Sequence, residues 1–452
     1  RVIMGNSSSS KSAEPPKRLH PLVSNDEYGR LQEVYKSASE HSGGFGDWLI
    51  GKLGLPADDE GVVSRIFQGP HGTGAVEEAE FVNVVSTVVR GSTSDIRRKL
   101  FGTVRGESYK SDLESMFRLL FHASGWEAGA DMSVLVRGLE RFARKQVKID
   151  AGLIAGPSSV NDVAPVEINF GTFNRWCNTH MPSLQDPIYR LFGSVFFDME
   201  GKTSLAGMVQ ATARENIAAS EVITQSTAFS LACLDARFQG GWDRLFSSSV
   251  DGLSFDALVK STLSYDGPTF FAIKDTLGNC FGAVTSETWK ESSQFYGKES
   301  SLLFGISPVF YVFRSRTDGS TPGTGNFQYL KSRGRTGAQG IGFGGDENKV
   351  RLWIDRNIEE CTASESGLTY ESGRLLGNTD ETSFVPLVIE VWGLGGDEAS
   401  KAQKEAREEH TKMQMDRRKV DRKQFANNAF DREFLLGKTF EASHQAEEHG
   451  FN

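Results

Sequence analysis

Four cysteines in 452 residues, Cys177, Cys233, Cys280 and Cys361, lie far apart with no C-x-x-C pair. They read as reduced thiols of a cytosolic protein, not as a disulfide framework. No apolar run approaches the ~18–20 residues that span a bilayer, and the first residues hold no apolar signal-peptide core. The chain is therefore expected to be cytoplasmic unless something tethers it. There is no excess of positive charge: the formal net charge is −9, which argues against a general nucleic-acid binder, whose phosphate contacts need a basic face. Between Val222 and Gly395 there is no histidine, the nearest being His180 and His410. A Ser-His-Asp or Cys-His pair, or a histidine-bearing metal site, cannot be contained there. No P-loop lysine pattern occurs anywhere, and the length suits two or three domains with cores of their own.

What remains for chemistry is sparse. Gly340-Ile-Gly342-Phe-Gly344-Gly345 satisfies G-x-G-x-x-G, but it leads into a strand, whereas a dinucleotide site needs its glycines to open a helix. It reads as a flexible glycine loop, so no cofactor is expected. The carboxylates Asp275, Asp346, Glu347, Asp355, Glu359, Glu360 and Glu390 would need a fixed pairing with separated pKa values to act as acid and base. Most read as turn formers or solvated strand ends. Cys233, Cys280 and Cys361 have no basic neighbour or resolving thiol at short spacing, and Lys331, Arg333 and Arg335 read as a solvated basic loop.

The stretch 222–395 is rich in strand signals. Pro268 to Asp275 and Cys280 to Val284 are apolar runs joined by Thr276-Leu277-Gly278-Asn279, a hairpin signature. Pro308 to Arg314, Lys349 to Ile354 and Pro386 to Trp392 are β-branched or aromatic and bounded by turn residues. This mixture of alternating and continuous runs predicts two antiparallel sheets packed face to face.

Trp242 to Phe255, the Lys274-Asp275…Phe281-Gly282-Ala283 hairpin, Phe295-Tyr296-Gly297 with Leu302-Leu303-Phe304, Leu352-Trp353-Ile354-Asp355 and Glu390-Val391-Trp392-Gly393 occur in an order and spacing that together resemble a TLDc domain. That resemblance implies a non-enzymatic regulator that binds the cytosolic subunits of the vacuolar-type proton-pumping ATPase (V-ATPase).

Ahead of it, residues 24–220 read as helical. Ser24-Asn-Asp-Glu27 and Ser111-Asp-Leu-Glu114 are capping-box patterns, followed by Tyr28, Leu31 and Tyr35 and by Leu113, Phe117 and Leu120 at helical spacing. Val76 to Val89, Met132 to Phe142 and Pro187 to Phe197 read as further helices, with Gly152 to Val163 as a loop. A calcium loop aligned on Gly201 places Asp198 and Glu200 at positions three and five, but Phe196 and Gly207 at one and twelve. Two oxygen ligands are missing, so the expectation is an EF-hand-like scaffold without metal.

Residues 1–23 read as a disordered leader in which Met4-Gly5-Asn6-Ser7-Ser8-Ser9 matches an N-myristoylation signal. If translation begins at Met4, Gly5 is the lipidation site; if Arg1-Val2-Ile3 are genuine, it has no free amine. The order of the segments is similar to a myristoylated TLDc branch on lysosomal membranes, which implies the cytosolic face of the lysosomal or vacuolar membrane.

Residues 397–440 read as a long C-terminal helix, with opposite charges four apart at Asp397–Lys401, Lys401–Glu405, Lys404–Glu408 and Glu408–Lys412. Residues 441–452 read as a polar tail. Either the helix folds back, docking Phe430 and Phe434 on the sheet, or it projects into a partner through Lys412, Met415, Arg418, Arg422, Phe425, Phe430, Phe434 and Leu435. The projecting arrangement is preferred. The expected fold class is α+β: an all-α EF-hand-like domain, an antiparallel two-sheet β-sandwich at 222–395 and the C-terminal helix. The alternative functions are oxidative-stress protection through carboxylate or cysteine chemistry and, more weakly, calcium sensing.

Overall fold

A computed structural model describes residues 19–396 except 69–74, 106–107, 127–128, 152–165, 200–208, 317–324, 336, 347–348 and 378, together with Lys401 and Glu405. The chain opens with helices α1 (Asn25–Ser39), α2 (Gly44–Leu53), α3 (Glu60–Gln68), α4 (Glu78–Arg90), α5 (Thr93–Phe101) and α6 (Tyr109–Ala123). There follow α7 (Ser133–Asp150), α8 (Phe170–His180), α9 (Asp186–Phe197), α10 (Ala211–Ala218) and α11 (Gln225–Leu234). Ser24 caps α1 in the expected reciprocal box, its side chain accepting from the Glu27 N–H while Glu27 accepts from the Ser24 N–H. The Ser111 pattern does not start a helix. Ser108 is the N-cap of α6, and Ser111 lies in its first turn with its hydroxyl bonded back to the Ser108 carbonyl. A second box, Ser92 with Asp95, opens α5.

The second half carries β1 (Asp243–Ser247), α12 (Ser248–Asp251), α13 (Phe255–Leu263), β2 (Thr269–Asp275), β3 (Cys280–Thr285), β4 (Leu302–Ser307) and β5 (Tyr311–Phe313). It closes with β6 (Gln328–Lys331), β7 (Gly340–Gly345), β8 (Val350–Asp355), β9 (Cys361–Ala363), β10 (Ser383–Phe384) and β11 (Pro386–Gly393). These form two antiparallel sheets, ordered β1-β11-β2-β3-β4-β5 and β10-β9-β8-β7-β6. The two-sheet α+β architecture expected from the sequence is therefore what the chain adopts.

Both faces of the six-stranded sheet are covered. Phe271 and Ile273 of β2 enter the core between the sheets with Phe343 and Ile354, while Phe270 and Ala272 join the core of the helical region. Two-sided burial is why β2 and β3 read as continuous apolar runs. Each such aromatic or aliphatic side chain removed from water contributes about 1.5–3 kcal/mol.

The junction is also polar. Arg137 of α7 donates to the Pro308 carbonyl at 2.6 Å, the Phe310 N–H donates to the Val134 carbonyl at 3.1 Å, and Arg314 donates twice to the Thr179 carbonyl at 2.9 and 2.7 Å. Gly138 allows the close approach of α7: a Cβ there would lie 2.1 Å from the Phe310 carbonyl oxygen.

The glycine run at 340–345 is not a flexible loop. It is the buried strand β7, and a Cβ on Gly340 would fall 2.4 Å from the Trp353 ring on β8. The glycines there make room for an indole. No described helix is long and apolar enough to cross a membrane.

Candidate interaction surface

Of the carboxylates with catalytic potential, Asp275, Asp346, Asp355 and Glu390 take part in holding the fold, while Glu359 and Glu360 are exposed. Asp275 accepts from the Leu277 and Asn279 N–H groups and from the Asn279 side chain, closing the β2–β3 turn. Asp355 accepts from the N–H groups of Asn357, Glu359 and Glu360, and Asp346 from the Lys349 N–H. Glu390, wholly buried, accepts from Ser220 Oγ, the Glu221 N–H and the Trp392 indole. Glu347 lies outside the described residues.

All four cysteines are buried free thiols. Burial pushes Cys177 and Cys361 up to about 12 and Cys233 and Cys280 above their ordinary value, the opposite of an activated thiolate. Asp198 sits exposed at the end of α9 with its carboxylate 3.9 Å from Arg30. Among the described residues no three His, Cys, Asp or Glu side chains come together as a metal site; Glu200 to Gly207 lie outside them.

A groove of about 1260 Å³ runs beside the edge strand β1, walled by α12 and α13. Local chemistry builds it. Ser247 ends β1 with its N–H held by Asp251, Ser248 Oγ accepts from the Ile389 N–H of β11, and Gly252 turns the chain at φ +82°. Ser254 then caps α13 by accepting from the Ala257 N–H. Phe255, Leu258 and Val259 pin α13 to the inter-sheet core.

The floor is apolar, with Phe246, Val259 and Leu263, and the rim mixes Arg244, Lys260 and Arg333 with Asp251, Asp256 and Glu291. Val250, which lines it, is 72% exposed, and Leu253 in the following turn is 51% exposed. An apolar floor with a charged rim is the composition of a protein-contact site. Sequence reading did not find this groove. The Ser-Ser-Val-Asp-Gly-Leu-Ser turn, apolar yet flanked by two helix caps, was its available signal.

The residues that follow β11 are held next to a groove-lining turn. The Leu394 N–H donates to the Pro268 carbonyl at 2.9 Å and the Gly395 N–H to Tyr265 Oη at 2.5 Å. Tyr265 follows Leu263 and Ser264, which line the groove. The expected partner-binding residues Lys412, Met415, Arg418, Arg422, Phe425, Phe430, Phe434 and Leu435, and the expected lipidation site Gly5, lie outside the described residues.

The TLDc-domain family profile matches residues 217–395. The chain is 33% identical over 156 residues to "MTOR-associated protein MEAK7" of Danio rerio, covering 34% of this chain and 33% of that protein. It is 33% identical over 161 residues to the same protein of Xenopus laevis, covering 35% and 33%. It is also 31% identical over 151 residues to "Oxidation resistance protein 1" of Xenopus tropicalis, covering 33% and 16%. The match thus spans about a third of the length of the MEAK7 relatives. Residues 217–395 of the chain thus form a TLDc domain.

Proposed function

We infer that this is a non-catalytic regulatory protein that docks on a protein partner through its TLDc domain and the segment following Gly396. The carrying observation is the groove beside β1, whose lining residues Leu263 and Ser264 directly precede Tyr265, the residue that holds the Gly395 N–H. The candidate chemical groups are meanwhile occupied by the fold: Asp275, Asp355 and Glu390 are spent on turns and on the helix junction, and the thiols are buried and protonated. The oxidative-protection alternative, in its cysteine form, meets four buried thiols whose burial disfavours the thiolate.

The partner class is the cytosolic sector of the vacuolar-type proton pump, the reading implied by the TLDc resemblance. Lipidation at Gly5 would hold the protein at the lysosomal or vacuolar surface, where raised effective concentration makes modest affinity sufficient. One group of relatives is named for association with mTOR, which favours a second reading in which that kinase is the partner.

Pull-down from solubilised lysosomal or vacuolar membranes tests both. The full chain is compared with one truncated after Gly396, and each eluate is probed for pump subunits and for the kinase. Pump subunits retained by the full chain and lost on truncation support the reading. Retention by both places the contact within residues 1–396. Recovery of the kinase without the pump favours the second reading, and recovery of neither at low salt overturns both.

A further inference from the structure

A second cavity lies on the opposite edge of the six-stranded sheet, where α7 and α8 meet β5. Its volume is about 380 Å³, the lower end of the range for small-molecule sites. Phe142 and Ile149 supply an apolar wall, Gln146, Thr179 and Tyr311 hydrogen-bonding groups, and Lys145 and Arg175 positive charge; Glu371 is the acid among its lining residues. Two more cations contact its lining residues. The Arg141 guanidinium lies 4.5 Å over the Tyr311 ring, and Arg314 is bonded to the Thr179 carbonyl. None of these four cations has a carboxylate within ion-pair distance among the described residues.

His180 lines the same cavity. It is 1% exposed, and neither ring nitrogen makes a hydrogen bond of ordinary geometry among the described residues, the nearest contact being the Trp176 backbone. The ring is held by Trp176, Phe142 and Tyr311, with centroids at 6.1, 5.5 and 4.5 Å. Burial, together with Arg314, Lys145 and Arg141, pushes the imidazole down to about 3, so it is neutral and offers one donor and one acceptor. A buried polar group without a good partner is costly, so a ligand atom that meets it is favoured. Cations without a carboxylate partner round a neutral imidazole, beside an apolar wall, match an anion carrying a short apolar body.

We propose that this cavity binds a small phosphate ester, its phosphate on Lys145 and Arg175, its apolar body on Phe142 and Ile149, and a polar atom on His180. The proposal is independent of the pump reading, since no partner protein enters it. A phosphate is favoured over a carboxylate because two lining cations, with two more contacting the lining residues, can match a group that carries close to two negative charges at neutral pH.

The test uses the full chain and three probes: phenyl phosphate, inorganic phosphate, and phosphatidylcholine vesicles with and without phosphatidic acid. Calorimetry is expected to show saturable binding of phenyl phosphate, tighter than of inorganic phosphate, weakened about tenfold or more in Lys145→Ala/Arg175→Ala, since each charged hydrogen bond is worth about a factor of ten. Both residues lie at the cavity rim, so the double variant should keep the wild-type melting temperature. The ring resonances of His180, followed by NMR in isotope-labelled protein, are expected to shift on titration. Phosphatidic acid vesicles that compete with phenyl phosphate for the wild-type chain identify a lipid headgroup as the source; vesicles that do not compete identify a soluble ester. Absence of saturation at millimolar probe, binding unchanged in the double variant, or unmoved His180 resonances would each overturn the proposal.

Discussion

The Glu390 carboxylate, wholly buried in β11, accepts a hydrogen bond from Ser220 Oγ at 2.6 Å, and its other oxygen accepts the Glu221 N–H at 2.9 Å. Ser220 Oγ in turn accepts from the Ile223 N–H at 2.8 Å. The turn between α10 and α11 is thereby latched to a strand flanked by β1 and β2 in the six-stranded sheet. One acid replaces the water that the Ser220, Glu221 and Trp392 donors would otherwise need.

Removing that acid should be costly out of proportion to its size. Glu390→Ala leaves three donors without an acceptor and is expected to destabilise the protein by about 2–4 kcal/mol, with Glu390→Gln costing less because one oxygen remains. Chemical denaturation with the slope held constant reads this directly. Variants within 0.5 kcal/mol of wild type would show that the latch is not stabilising.

Two glycines in helices should respond in opposite directions. Gly138→Ala drives a Cβ into the Phe310 carbonyl oxygen and should destabilise by about 2 kcal/mol or more while exposing the α7–β5 junction to protease. Gly29→Ala in α1 meets nothing within 4 Å and should stabilise by about 0.5–1 kcal/mol, the ordinary gain for alanine in a helix. A shared sign in thermal melts would contradict the close approach of α7.

These examples show what was legible. The β2–β3 hairpin, β8, β11 and the Ser24 cap were readable because turn chemistry and local apolar pattern decide them. The β7 glycines were misread as a loop because glycine signals freedom locally, whereas here its missing Cβ serves Trp353 on the next strand. The start of α6 was misplaced because Ser108 and Ser111 both suit a helix beginning, and only the folded chain selects between them. His180 could be counted but not placed: 131 positions separate it from Tyr311, whose ring it meets at 4.5 Å. No spacing rule brings α8 to β5, so a histidine absent from 222–395 nevertheless packs on that segment's sheet.

His180 also sets an acid sensitivity. Its folded value is about 3, against an ordinary value of 6.5. Between those values the unfolded chain binds a proton that the native protein refuses, so stability falls as pH drops through that window. The limit is about 1.4 kcal/mol per pH unit. Relative to wild type, His180→Leu should lose less stability between pH 6.5 and 5, by about 2 kcal/mol. Parallel denaturation curves for the two proteins at both pH values would show that His180 is not neutral in the fold.

The thiols should be silent until the chain unfolds. With Cys177 and Cys361 at about 12, about one in 10⁴ is ionised at pH 8, and all four side chains are buried. A disulfide-exchange reagent should therefore report no fast-reacting thiol in native protein and four in guanidinium. A thiol that reacts within seconds in the native state would restore redox chemistry as a competing function.

The groove beside β1 makes the sharpest demand on the proposed function. Val250 and Leu253 are exposed and contribute little to the core, so Val250→Glu and Leu253→Glu should leave the melting temperature within about 1–2 °C of wild type. If the groove is where a partner docks, the same substitutions place an unpaired charge on an apolar contact and should reduce capture of that partner about tenfold or more. The comparison separates two arrangements that truncation after Gly396 confuses. A segment that binds the partner by itself is lost on truncation but indifferent to Val250 and Leu253. A segment that merely extends a TLDc contact loses binding in both experiments. Quantitative pull-down of the full-length variants, with folding checked by the unchanged melt, decides between a contact made by the sandwich and one made by the tail.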